Sequence, residues 1–213
     1  MKKINFNDRY LLTQRVIEYL KTMTRRIEGG EQFQLAATAA EDLTYEEDTG
    51  CIVMCCQGIE IFRHKCRYKV GEVVAVAQNY FSTYDESKWE NGIWYNEFAD
   101  GSDITNHAGW INKMFVKAEY MPHQIRITGI RCERLQDISD EDCMKEGVLE
   151  HPYRGYMVDG IVYKNSKDKE YNGSLQIFDT PREAFAVLID KVSGRGTWAS
   201  NPWVVVYEFE LIK

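Results

Sequence analysis

The sequence predicts an α+β fold built on a small sheet or barrel. Strand-like apolar runs outnumber helical stripes. The two clear helical stripes lie near opposite ends of the chain. No regular alternation of strand and helix appears, which argues against a doubly wound sheet. At 213 residues the chain can bury a sizeable core as one domain spanning 1–213, with insertions at about 79–110 and 150–178.

Asn7 or Asp8 can cap a first helix over Asp8 to Leu20, with Leu12, Val16 and Leu20 as its apolar stripe. The cations Lys21, Arg25 and Arg26 follow the stripe, and Gly29-Gly30 marks a turn. CIVMCCQGIEIF reads as two strands around a Gln57-Gly58 turn. Val73 to Ala77 is apolar without interruption, the pattern of a strand covered on both faces. The insertion from Asn79 to Trp110 scatters Tyr80, Phe81, Tyr84, Trp89, Trp94, Tyr95, Phe98 and Trp110 among polar residues without a period. A local mini-core is the better reading of these aromatics, and stacking on a ligand the other.

From Gln124 a strand places Ile125 and Ile127 on one face. Ser139 caps a short helix, with Asp142 completing a capping-box-like pair and Gly147 ending it. The second insertion carries a candidate hairpin at Asp159-Gly160. Thr180, Pro181, the stripe Phe185, Leu188, Ile189 and Val192, and Gly194 define the last helix. GRGTWASNPW reads as a glycine-eased turn with Trp198 and Trp203 as plugs, or as a place for Arg195 to reach a ligand. Trp203 to Ile212 is the closing strand.

A net charge of −7 argues against a protein that coats nucleic acid with its whole surface, though not against a local basic cleft. The six cysteines form no C-x-x-C pair, and Cys55, Cys56, His64 and Cys66 match no common zinc spacing. Reduced, partly buried thiols are expected, with no metal and no cofactor. The first ten residues lack the apolar run of a signal peptide, and no stretch approaches a membrane span. A cytoplasmic protein without membrane contact is expected. No phosphate loop, dinucleotide fingerprint or nucleophile elbow is present.

KTMTRR after a helix, CRYKVGEVVAV, IRCERLQDISDEDCMKEGV and FAVLIDKVSG…WASNPWVVVYEFELI occur in that order. This set resembles the ASCH-domain proteins (activating signal cointegrator homology) in their longer bacterial and phage form. The resemblance implies a PUA-like small β-barrel with surrounding helices and two insertions, and a cleft for RNA or a modified nucleoside. A neighbouring family with a similar fold hydrolyses the acetyl amide of N4-acetylcytidine. The shared pattern G-x-K-x-x-T-x-R falls on Tyr19, Lys21, Thr24 and Arg26, with Tyr19 in place of the glycine.

In the hydrolytic relatives the lysine and threonine work with a glutamate on a later strand. An ungapped count places Arg126 there, and Gln78 where many long ASCH proteins carry another glutamate. Glu72, Glu119 and Glu133 flank or sit on expected strands as other candidate acids. The resemblance thus implies Lys21 and Thr24 as catalytic candidates and Arg25, Arg26, Gln78 and Arg126 as ligand-binding candidates. With Arg126 and Gln78 in place of acids, binding of RNA or a nucleotide-like ligand is the leading expectation. Amide hydrolysis on an N-acylated nucleoside comes second, and a protein-interaction module acting through the aromatic insertions third.

Overall fold

A computed structural model describes residues 1–83, 89–90, 93–94, 104–164 and 171–212. In chain order it contains β1 (Lys2–Ile4), α1 (Leu12–Ile17), β2 (Met23–Arg26), α2 (Gly30–Ala39), β3 (Asp42–Glu46), β4 (Cys51–Cys56), β5 (Ile59–Lys65) and β6 (Val73–Val76). After these come β7 (Trp89–Glu90), β8 (Ile93–Trp94), β9 (Gln124–Arg134), α3 (Asp140–Lys145), β10 (Leu149–Glu150) and β11 (Tyr156–Met157). The chain closes with β12 (Val162–Lys164), β13 (Tyr171–Leu175), α4 (Pro181–Ser193), α5 (Thr197–Ser200) and β14 (Trp203–Leu211). The α+β class holds.

The main sheet runs β1-β6-β9-β14-β2, with only the β1–β6 pair parallel. A smaller antiparallel sheet, β3-β4-β5, packs beside it. No closed barrel forms among the described residues, because β1 and β2 are the two outer strands. They still approach at one end. Arg26 Nη2 donates to the carbonyl of Asn5, just after β1, at 2.7 Å. The sheet is therefore curled towards a seam between its two edges.

The first segment differs from the expected continuous helix. Asp8–Tyr10 is a 3-10 turn, and Leu11 takes a left-handed conformation (φ 51°), which interrupts the stripe before α1 starts. Leu12 and Val16 still enter the core. Arg25 and Arg26 do more than follow the first helix. They sit on β2, paired antiparallel with β14 from Arg26↔Val205 to Met23↔Glu208. Helix α2 lies where only a turn is expected. Its buried face is narrow, Phe33 and Ala37, so it gives a weak periodic signal.

Other elements follow their local chemistry. Gln57 and Gly58 both have positive φ (51° and 74°), the type I′ geometry that joins β4 to β5. Strand β6 is covered on both faces. Val74 and Val76 face the main core, while Ala75 packs with Ala77, Tyr80, Val116 and Met121 in a second cluster. Tyr80 and Trp110 thus join the local mini-core, whereas Tyr84, Tyr95 and Phe98 lie outside the described residues.

Asp159-Gly160 is a turn but not a hairpin, since β11 pairs with β10 and β12 with β13. Gly160 has φ 72°, and a Cβ there would lie 2.3 Å from the Arg9 carbonyl. Thr180 caps α4 through the Glu183 amide, and Phe185, Leu188 and Ile189 are buried, while Val192 stays exposed. GRGTWASNPW is more than a turn: it folds α5, whose Trp198 packs against Phe185.

Candidate functional site

Strand β2 alternates, so Met23 and Arg25 share one face while Thr24 and Arg26 share the other. The Arg25 guanidinium is wholly desolvated. Its Nε and Nη2 donate to Glu133 Oε1 on β9 at 2.9 and 2.6 Å. Its Nη2 also reaches Asp142 Oδ2 at 3.0 Å, and its Nη1 reaches Glu146 Oε1 at 3.2 Å. Arg131 bridges the same acids from the solvent side, donating to Glu133 at 2.7 Å and to Asp142 at 2.5 Å. Burial alone would raise the Asp142 pKa. The hydrogen bond and charge of Arg25, with the charge of Arg131, outweigh it and hold the carboxyl below its ordinary value.

Lys21 is 2% exposed and Glu146 5%. Lys21 Nζ donates to Glu146 Oε2 at 2.6 Å, to the Met23 carbonyl at 2.7 Å and to the Glu146 carbonyl at 2.8 Å. All three ammonium protons therefore have acceptors. The local chain explains the placement. Leu20 N and Lys21 N both donate to the Arg15 carbonyl, closing α1, and Thr22 N donates to Lys145 O, tying this segment to the end of α3. Burial lowers the Lys21 pKa, and the charges of Arg25 and Arg26 push the same way, against the pull of Glu146.

A cavity of about 330 Å³ opens beside this pair, at the seam of the curled sheet. Phe6, Leu12, Phe185, Leu188 and Ile189 form its apolar wall. Lys21, Glu146, Thr24 and Arg26 form the polar one. The Thr24 hydroxyl makes no hydrogen bond among the described residues.

Arg25 enters the wall through its main chain: the residue is 6% exposed while its side chain is 0% exposed. The register explains this. Phe209 N donates to Thr22 O, so the alternation turns the Thr24 and Arg26 amides towards β14 and leaves those of Met23 and Arg25 on the free edge.

Tyr19 stands where the ASCH-like pattern has glycine, yet it holds φ 61°. Glycine is the low-strain residue for that conformation. Relief of about 1–2 kcal/mol of left-handed strain should exceed the ~0.5–1 kcal/mol entropic penalty of glycine. Tyr19→Gly is therefore expected to stabilise by about 0.5–1 kcal/mol. A lower urea midpoint for the variant would contradict this.

Two expected ligand-binding residues lie elsewhere. Arg126 is exposed at the start of β9 and pairs with Glu210 at 3.1 Å, outside the cavity. Strand β9 does supply an acid, but near its other end, as Glu133. Gln78 Oε1 contacts His123 Nδ1 at 2.6 Å and lines a different cavity, with Asp8 and Thr13. Nor is the cleft simply basic. Among its lining residues Glu146 is paired with both Lys21 and Arg25, and Glu133 and Asp142, outside the cavity, take up Arg25 and Arg131. Glu146 is the functional candidate that sequence reasoning missed, although it lies within the IRCERLQDISDEDCMKEGV segment.

Glu72 pairs with Lys2, and Glu119 lies in a 3-10 turn. Arg195 is exposed. Cys51, Cys66 and Cys143 are buried free thiols. No helix among the described residues is long and apolar enough to cross a membrane.

No protein-family model, curated protein or solved structure gives a significant match to the chain.

Proposed function

We propose that the protein hydrolyses an amide on an N-acylated, nucleoside-sized substrate held in the seam cavity, with N4-acetylcytidine as the first candidate. The observation that carries this reading is the buried Lys21–Glu146 pair at 2.6 Å, in a cavity that also holds the unpartnered Thr24 hydroxyl. The arginine counted into the acid's position is absent from the cavity, and a carboxylate is present. A curled sheet with its edges in contact also suits the PUA-like architecture that the resemblance implies.

The chemistry follows from the groups present. Lys21, its pKa lowered by burial, loses a proton more readily than an exposed lysine and acts as general base. The Thr24 hydroxyl is the nucleophile, or holds the water that is. The Arg26 guanidinium, which lines the cavity, is a donor available to the tetrahedral oxyanion. The C–N bond breaks, the Lys21 ammonium returns its proton to the leaving amine, and water supplies the hydroxyl of the released acid. Glu146 holds Lys21 in place throughout.

A second reading keeps the cavity and drops the turnover. In its favour, Lys21 Nζ is already held by three acceptors, an arrangement that suits a fixed cation. The protein would then bind a modified nucleoside, or one nucleotide of a single-stranded RNA. Long RNA gains little here, because Lys21 and Arg25 are matched by acids.

Incubation with N4-acetylcytidine, followed by chromatography for cytidine, tests the proposal. Cytidine should accumulate, faster as pH rises. Calorimetric binding without product would leave the second reading. Neither binding nor product, with short RNAs also silent, would sink both.

A further inference from the structure

An unpaired strand edge inside a cavity is unusual, because it leaves main-chain donors and acceptors without partners. The free edge of β2 is such a case, and it is short. The Met23 carbonyl is taken by Lys21 Nζ, and β2 ends at Arg26. That leaves one residue, Arg25, presenting an N–H and a C=O side by side. An added peptide strand needs several such residues in succession. A single donor–acceptor pair fits the edge of one planar ring. The apolar wall of Phe6, Leu12 and Leu188 offers surfaces for the ring faces.

A second observation points to the same place. Among the described residues, two buried side-chain polar atoms lack any hydrogen-bond partner: Asn5 Oδ1 and Arg26 Nε. Both residues line this cavity. One atom is an acceptor and the other a donor. Buried polar groups are nearly always satisfied, so an orphan pair of opposite type beside a cavity marks where a partner belongs. No carboxylate among the described residues pairs with Arg26, whereas Lys21 and Arg25 are fully engaged.

We infer that β2's free edge reads the ligand: the Arg25 N–H and C=O pair with a ring edge carrying an acceptor beside a donor, and Asn5 and Arg26 complete the frame. The 3-position nitrogen and 4-amino hydrogen of a cytosine ring form such an edge. N4-acetylation keeps one hydrogen on that nitrogen, so substrate and product would present the same pair. The inference rests on the cavity used in the hydrolase reading, but it does not need turnover.

The test uses the unmodified full chain and two probes, cytidine and its 4-deamino analogue, pyrimidin-2-one riboside. The analogue keeps the acceptor, loses the donor and adds no bulk. Cytidine should bind at least about tenfold more tightly, the factor for leaving a buried carbonyl unpaired. Asn5→Ala should weaken cytidine binding at least about threefold. Equal affinities for the two probes, or no binding of cytidine, would overturn the inference. Tenfold discrimination without hydrolysis of N4-acetylcytidine would support it and remove the hydrolase reading instead.

Discussion

A Glu146→Ala variant is expected to lose about 3–5 kcal/mol of folding stability, because it leaves the Lys21 ammonium buried without its counter-ion. Few exposed carboxylates approach that figure; surface pairs contribute about 0–1 kcal/mol. Glu146 differs because both partners are buried and because it also accepts from Arg25 at 3.2 Å. The loss should shrink as pH rises. Burial lowers the folded-state pKa of Lys21, and removing Glu146 lowers it further, so the folded lysine sheds its proton before an unfolded one does. Stability then climbs with pH until the unfolded lysine titrates near about 10.4. Pairing Lys21→Met with Glu146→Ala should restore part of the loss, since no unmatched ammonium remains. Urea unfolding of the three variants decides this. A loss below about 1 kcal/mol for Glu146→Ala would show that the pair is solvated and the cavity wall mis-assigned.

Lys21→Met is expected to reduce N-deacylation by about 10²–10⁴-fold, the usual contribution of a positioned base. The fold should survive, since Glu146 keeps Arg25 as a counter-ion. Lys21→Arg is the sharper comparison. It preserves the charge, but arginine does not release its proton at any ordinary pH, so a base cannot be replaced in this way. If Lys21 is the base, the arginine variant is as inactive as the methionine one. In the unmodified protein the rate should rise with pH on a limb set by the Lys21 amine, below the pH at which an exposed lysine titrates. An arginine variant that kept more than about a tenth of the rate would assign Lys21 an electrostatic role and end the general-base account.

The elements that were legible in the sequence are those whose chemistry is local. Thr180-Pro181 and Gly194 bracket the 13 residues of α4, and Gln57-Gly58 alone sets the β4–β5 turn. Lys21 and Thr24 could be singled out because their spacing is a short motif. Their setting could not, because Leu11 breaks the stripe through a backbone angle that leucine rarely adopts. Glu146 was hidden for a different reason. It follows α3 at a position with no period, and nothing local marks it as the partner of Lys21. The ungapped count that picked out Arg126 runs along a strand that carries a β-bulge. Glu208 pairs with Gly129 and Phe209 with Ile127, so Thr128 is an extra residue. Across such a bulge, a residue count no longer tells which face a side chain takes.

The ion network also bears on how the chain reaches its native state. Lys21 and Glu146 are 125 residues apart, Arg25 and Glu146 121, and Arg25 and Glu133 108. Contacts of such span close large loops, and the entropy of closure must be met before they form. While β9 and α3 are still unplaced, Lys21 and Arg25 stay hydrated, and β2 has nothing to shelter its charges. The cavity is therefore among the last features to assemble, and a partly folded chain carries the motif without the site.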